Sequence, residues 1–181
     1  IGMPLGVLIA WALARVRMPF SRGLEFCFWI AFMAPTISIT MGWIFLADSR
    51  LGLLNRGLQQ LPFFSATEGP FDIFSIPGIV WVHLMARSIA DKVILLTPAF
   101  RNMDAALEEA SRVSGASNLR TMLRVTLPVM TPPIVVVFAL HLTRAFDGFE
   151  IEQLLGTPID FFVYSTQIYY MVREVSPPQY G

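Results

Sequence analysis

The sequence predicts an all-α, polytopic helical membrane protein, on two observations. Apolar residues make up 55% of the 181 and charged residues only 14%, with mean hydropathy +0.60, whereas soluble domains carry about 25% charge. The apolar residues are also gathered into runs near the ~20-residue length that a helix needs to cross roughly 30 Å of hydrocarbon. The formal net charge is zero, so there is no electrostatic attraction for nucleic acid. The single Cys27 lies inside an apolar run, where it reads as a small packing residue.

Residues 1–14, IGMPLGVLIAWALA, are uncharged but too few to cross at 1.5 Å per residue, and read as the inner part of a span. The chain has no initiator Met and no signal-like start, so it reads as a fragment truncated at both ends. A second span covers 26–47, where Pro35 should kink the helix, a distortion that lipid-embedded helices tolerate. Residues 48–75 contain LGLLNRGLQQLPFF and ATEGPFD, a short surface helix followed by a turn. A third span covers 76–98 with Pro77 in its first turn. After a polar loop, 99–128, a fourth span covers 129–147, where Pro132 and Pro133 suit an early helical turn. The tail 148–181 carries the aromatic run DFFVYSTQIYY, suited to a membrane-water interface, with a further span expected beyond Gly181.

Arg and Lys placement sets orientation. Arg15, Arg17 and Arg22 follow the first span, and Arg101, Arg112, Arg120 and Arg124 lie between the third and fourth. The opposite side holds Arg50, Arg56 and Arg173 among the acids Asp48, Glu68, Asp72, Glu150, Glu152, Asp160 and Glu174. The loop 99–128 is therefore expected on the cytoplasmic side.

Two short helices fit that loop. Asp104 can cap the first, AALEEASRV, and Ser117 the second, NLRTMLRVTL. Gly115 between them supplies the positive φ that ends a helix and turns the chain. Ala106, Leu107, Ala110 and Val113 line one apolar face, and Leu119, Met122, Leu123 and Leu127 another. A solvated loop needs no such faces joined at a fixed elbow, so the segment reads as a docking knob for a cytoplasmic partner.

The segment resembles the Glu-Ala-Ala loop of permease subunits in binding-protein-dependent ABC importers. That pattern is Glu-Ala-Ala, three residues, Gly, nine residues, Ile, one residue, Leu-Pro. Here it is Glu109-Ala110-Ser111, then Gly115, then Val125, Leu127 and Pro128. Every spacing agrees, and Ser for Ala and Val for Ile preserve size. The resemblance implies the type I permease fold, with about four spans in this stretch and a coupling-helix loop at 99–128. It also implies a cytoplasmic-membrane location and docking on separate ABC ATPase subunits, with the acidic pair Glu108 and Glu109 meeting basic residues there. The other implied partners are an extracytoplasmic solute-binding protein and a second permease unit, fused in the full-length chain. The opening PLGVLIAWALARVRMPFSRG resembles an early span and its inner turn, and the tail from Phe149 resembles ferric-iron-type permeases. Permeases for phosphonates, polyamines, sulfate or thiosulfate share much of the pattern. The chain has no G-x-x-x-x-G-K-[ST] loop, so ATP and Mg are expected on the partner, and no cofactor and no catalytic residue here.

Other candidates keep two readings. Arg87, Asp91 and Lys92 lie within the third span, where a charge costs roughly 2.5–3.5 kcal/mol. They line a transport path, or Arg87 and Asp91 pair on one face while Lys92 snorkels to the headgroups. As a relay they would instead suit an ion-coupled secondary transporter. His83 and His141 are lone histidines suited to packing or hydrogen bonding rather than metal ligation. Asp147, Glu150 and Glu152 form a solvated face, or contact a binding protein or a cation. Tyr164, Tyr169 and Tyr170 read as interface anchors rather than iron ligands.

Overall fold

The computed structural model describes residues 1–61, 69–146 and 148–173. In chain order these form α1 (Gly2–Arg15), α2 (Ser21–Met33), α3 (Thr36–Ala47), α4 (Leu53–Gln59), α5 (Ile76–His83), a π-turn (Leu84–Ser88), α6 (Ile89–Asn102) and α7 (Ala105–Val113). Then follow α8 (Asn118–Thr121), a second π-turn (Met122–Thr126), α9 (Leu127–Val129), α10 (Thr131–Phe146), a third π-turn (Glu152–Gly156), a 3-10 turn (Thr157–Ile159) and α11 (Tyr164–Arg173). No strand occurs among the described residues. The chain divides into two compact units, Ile1–Phe32 with Ser88–Leu142, and Met33–Arg87 with Thr143–Gly181.

The first unit is built on α1 against α6. Gly6, Ala10 and Ala14, four residues apart, put small side chains on one stripe of α1. In lipid the hydrophobic effect does not favour helix contact over lipid contact, so close backbone approach supplies the packing. Gly6 is where the approach is tightest: a Cβ there would lie 2.5 Å from the Cβ of Lys92. Around this seam Leu96 and Phe100 are fully buried, joined by Met103, Met130 and Val137.

In the second unit Ala47, Ile73, Ile79, Val82, Ala86, Ile151 and Leu155 form the core. Trp43 meets Trp81 edge-to-face at 5.4 Å between ring centroids. Asn55, on α4 and fully buried, staples the neighbouring loops. Its Nδ2 donates to the carbonyls of Asp48 (2.8 Å) and Phe71 (2.7 Å), and its Oδ1 accepts from the Phe71 N–H (3.1 Å). The Asp48 carbonyl also accepts from the Gly52 N–H at 2.9 Å, so the buried amide reinforces that turn and pairs the backbone of Phe71.

The expected spans meet the structure unevenly. Residues 1–14 coincide with α1, the surface helix in 48–75 is α4, and 129–147 contains α10 with both prolines in its first turn. The 26–47 span is corrected from a kinked helix to two helices. Pro35 lacks an N–H and disfavours helical backbone at Ala34, so α2 stops at Met33 and Pro35, extended at φ −62° and ψ 129°, caps α3. Residues 76–98 fall within a run from Ile76 to Asn102 interrupted by the first π-turn. Among the described residues no single helix is both long and apolar enough to cross a membrane. Two bent pairs meet that test together: α2 with α3, and the run Asn118–Val129 with α10, the latter bent by 68°. Glu68, Asp147 and Glu174 lie outside the described residues.

Candidate functional site

The caps and the glycine elbow of 104–128 form where the sequence places them, but the second helix, expected unbroken over 118–127, is interrupted after Thr121 by the second π-turn. Asp104 caps α7, its carboxylate accepting from the Ala106 N–H at 2.9 Å. At the other end of α7, Gly115 has φ +83°. Its N–H donates to the Arg112 carbonyl (2.9 Å) and the Ala116 N–H to the Ser111 carbonyl (3.1 Å). These paired bonds form a Schellman ending, in which the left-handed residue is normally Gly. A Cβ at Gly115 would meet nothing within 4 Å, so only the backbone angle demands glycine there. Ser117 caps α8, accepting from the Arg120 N–H at 3.4 Å.

Adjacent acids on α7 point opposite ways, because successive helical residues are turned by about 100°. Glu109 is exposed, but Glu108 is 5% exposed, which corrects the expectation that both acids face a partner. Its Oε1 accepts from Thr126 Oγ1 at 2.8 Å, and its Oε2 lies 3.8 Å from Arg15 Nε and 3.7 Å from Arg112 Nη2. Arg15 Nη2 donates to the Met103 carbonyl at 2.5 Å. Ser111 Oγ and Thr121 Oγ1 share a hydrogen bond of 3.0 Å across the elbow. A cleft of about 210 Å³ opens beside these groups, lined by Trp11, Arg15, Arg17, Glu108 and Arg112 among others. Of the remaining motif residues, Ala110, Gly115 and Pro128 are exposed, and Ser111, Val125 and Leu127 half-buried.

The third-span charges differ in exposure. Arg87 is exposed while Asp91 and Lys92 are buried. Lys92 does not snorkel: its Nζ turns back one turn to donate to the Ser88 carbonyl (2.7 Å) and meets Ser88 Oγ at 3.0 Å. His141 lies half-buried on α10.

In the second unit, His83 Nε2 sits 2.8 Å from Glu152 Oε1. Burial, the largest single influence, pushes the Glu152 carboxyl up, but the His83 hydrogen bond, a backbone hydrogen bond and the charge of His83 together outweigh it and hold the carboxyl below its ordinary range. Glu152 is therefore an internal anchor rather than part of a solvated face; Glu150 is exposed. Tyr164 is 75% exposed, and Tyr169 stacks edge-on against Phe149. Among the described residues no three His, Cys, Asp or Glu side chains are grouped to hold a metal ion.

Residues 2–180 match the model of the family described as binding-protein-dependent transport system inner membrane component, and the chain belongs to that family. A probable sulfate transport system permease protein from Nephroselmis olivacea is 31% identical over 86% of this chain and 52% of its own length. The spermidine/putrescine permease protein PotB of Escherichia coli K12 is 29% identical over 84% and 54%. The chain thus spans about half the length of these relatives. The crystal structure of a bacterial alginate ABC transporter, in complex with an alginate pentasaccharide-bound periplasmic protein, contains a chain of the same fold. It superposes with TM-score 0.71 at 16% identity, over 96% of this chain and 62% of that one.

Proposed function

We propose that the chain forms part of the translocation path in the membrane-spanning subunit of an ATP-driven importer of the cytoplasmic membrane, and that 104–128 docks on a separate ATPase. The observation that carries this reading is the reversed polarity of the elbow. The α7 helix turns Glu108 inward and leaves Leu107 44% and Val113 88% exposed; beyond the turn, Leu119 is 63% and Leu123 53% exposed. Apolar side chains flanking a rigid turn offer a surface that gains about 25 cal/mol per Å² when a partner covers it. The assembly proposed with it comprises ATPase subunits holding ATP and Mg, an outer solute-binding protein, and a second permease unit fused in the longer chain. The spans near 1–14, 26–47, 76–98 and 129–147, the last three crossing as bent or interrupted helices, belong to the same reading, with 99–128 on the cytoplasmic side.

Sulfate and polyamine, which the related permeases are named for, are the cargo classes best supported. Ferric iron, suggested by the tail, draws no support from those names. Arg87, Asp91 and Lys92 remain candidate path residues. Co-purification of full-length Gly115→Val protein with its ATPase tests the docking: the variant inserts and loses the ATPase. Retention of the complex refutes the docking, and uptake driven by a proton gradient without ATP would return the ion-coupled class.

A further inference from the structure

We propose that Glu108 is the positioning residue that locks the elbow to its own unit, so that a push on α7 is delivered to α1 and to the segment entering α10. The inference rests on the docking role proposed above.

The carboxylate of Glu108 gathers three elements. Thr126, fully buried in the second π-turn, donates to Oε1; Arg15, the last residue of α1, faces Oε2; and Arg112, one turn along α7, faces the same oxygen. Arg15 also holds the carbonyl of Met103, which ends α6. One guanidinium therefore ties the ends of α1 and α6 to α7, and one carboxylate ties α7 to the run into α9. The Arg15 side chain is only 15% exposed and that of Glu108 6%. Removing Glu108 leaves buried Arg15 without its acidic partner, and removing Arg15 leaves Glu108 to Arg112 alone, and a buried charge that loses a partner is costly. The hydrogen bond from Thr126 fixes direction as well as distance in this poorly solvated site, and the Arg15 and Arg112 contacts at 3.8 and 3.7 Å add ion-pair attraction, whereas apolar faces slide over one another more readily. A glutamate that met a partner would be exposed, as Glu109 is; Glu108 is turned toward its own chain.

The test uses the full-length protein with its ATPase subunits in liposomes. Spin labels are placed at Phe20 and Ala105, both exposed and off the apolar face of α7, with Cys27→Ser as background and Mg-ATP plus vanadate as the probe. Glu108→Gln keeps an acceptor for Thr126 but presents an amide donor to two guanidinium groups. The expected result is unchanged co-purification, a broadened label-to-label distance distribution, and a loss of permease-stimulated ATP hydrolysis of about tenfold at unchanged KM for ATP. Thr126→Val moves both readouts the same way by less, and the exchange Arg15→Glu with Glu108→Arg recovers part of the stimulation. Wild-type distances and stimulation in Glu108→Gln overturn the proposal. Where that variant fails to insert or assemble, Thr126→Val decides, and wild-type behaviour there overturns it equally. Failure of the docking reading looks different, because Gly115→Val would then also leave assembly and stimulation intact.

Discussion

Replacing Gly115 separates the backbone angle from every other influence on the elbow. The residue stands at φ +83° with open space where a Cβ would project, so a substitution meets no neighbour and its cost comes from the left-handed backbone alone. For an ordinary L-residue that cost is about 1–2 kcal/mol, less for Asn, which tolerates the region, and more for a β-branched side chain. The two hydrogen bonds of the turn contribute about 0.5–1.5 kcal/mol each, so Gly115→Ala consumes much of what holds the elbow closed. If docking selects the closed elbow, affinity for the ATPase falls by up to about 5- to 30-fold in Gly115→Ala. Gly115→Asn stays closer to wild type and Gly115→Val falls further. Titration of detergent-solubilised permease with its ATPase measures the series. Equal affinity in all four proteins, or Asn binding as poorly as Val, would refute the conformational argument.

Three further outcomes follow from contacts outside the elbow. Asn55→Ala removes three buried hydrogen bonds and lowers the stability of the second unit by about 3 kcal/mol, read by thermal unfolding in detergent; a change under about 0.5 kcal/mol would contradict the staple. Gly6→Ala forces a Cβ against Lys92 and costs about 1–3 kcal/mol, while Gly42→Ala, with nothing within 4 Å, stabilises by about 0.5–1 kcal/mol; similar behaviour of the two would remove the case for close α1–α6 packing. Because the folded-state pKa of Glu152 is depressed, its contribution is present above the ordinary carboxylate range and is lost as pH falls below that range through the lower folded-state value. The unfolding temperature should therefore drop on acidification, and Glu152→Gln should flatten the drop.

What the sequence made legible was local. Asp104, Gly115 and Ser117 act within a few residues of themselves, through a side chain bonding a nearby N–H or a backbone angle open to glycine, so their roles follow from spacing. The class of fold was legible in composition for the same reason, since long uncharged stretches need no partner to be recognised. Pairings between distant segments were not: Glu108 reaches Arg15, Lys92 packs on Gly6, and His83 and Glu152 are 69 positions apart. Two signals were present but unread. Gly6, Ala10 and Ala14 form a small-residue stripe of the kind helix seams use in lipid, and the residue before Pro35 already disfavoured an unbroken helix.

The reversed polarity of α7 bears on why an acid should be buried there at all. A helix lying on its parent domain usually buries its apolar stripe and wets its polar one. Here the inward contacts are polar, from Glu108 to Arg15 and Thr126 and from Ser111 to Thr121, and the apolar residues Leu107 and Val113 face out. The two halves of that arrangement depend on each other. Apolar side chains facing outward can bind a partner without the helix detaching only if something other than apolar burial holds the helix to its own chain. The Thr126 hydrogen bond and the Arg15 ion pair to a buried carboxylate supply that hold, and the hydrogen bond also sets the angle at which the outward face is presented. An inward leucine in place of Glu108 would anchor by area alone and would compete with a partner for the same kind of contact, which is why charge on the inner face and grease on the outer one suit the docking role proposed for this segment, fixed on one side and gripped from the other.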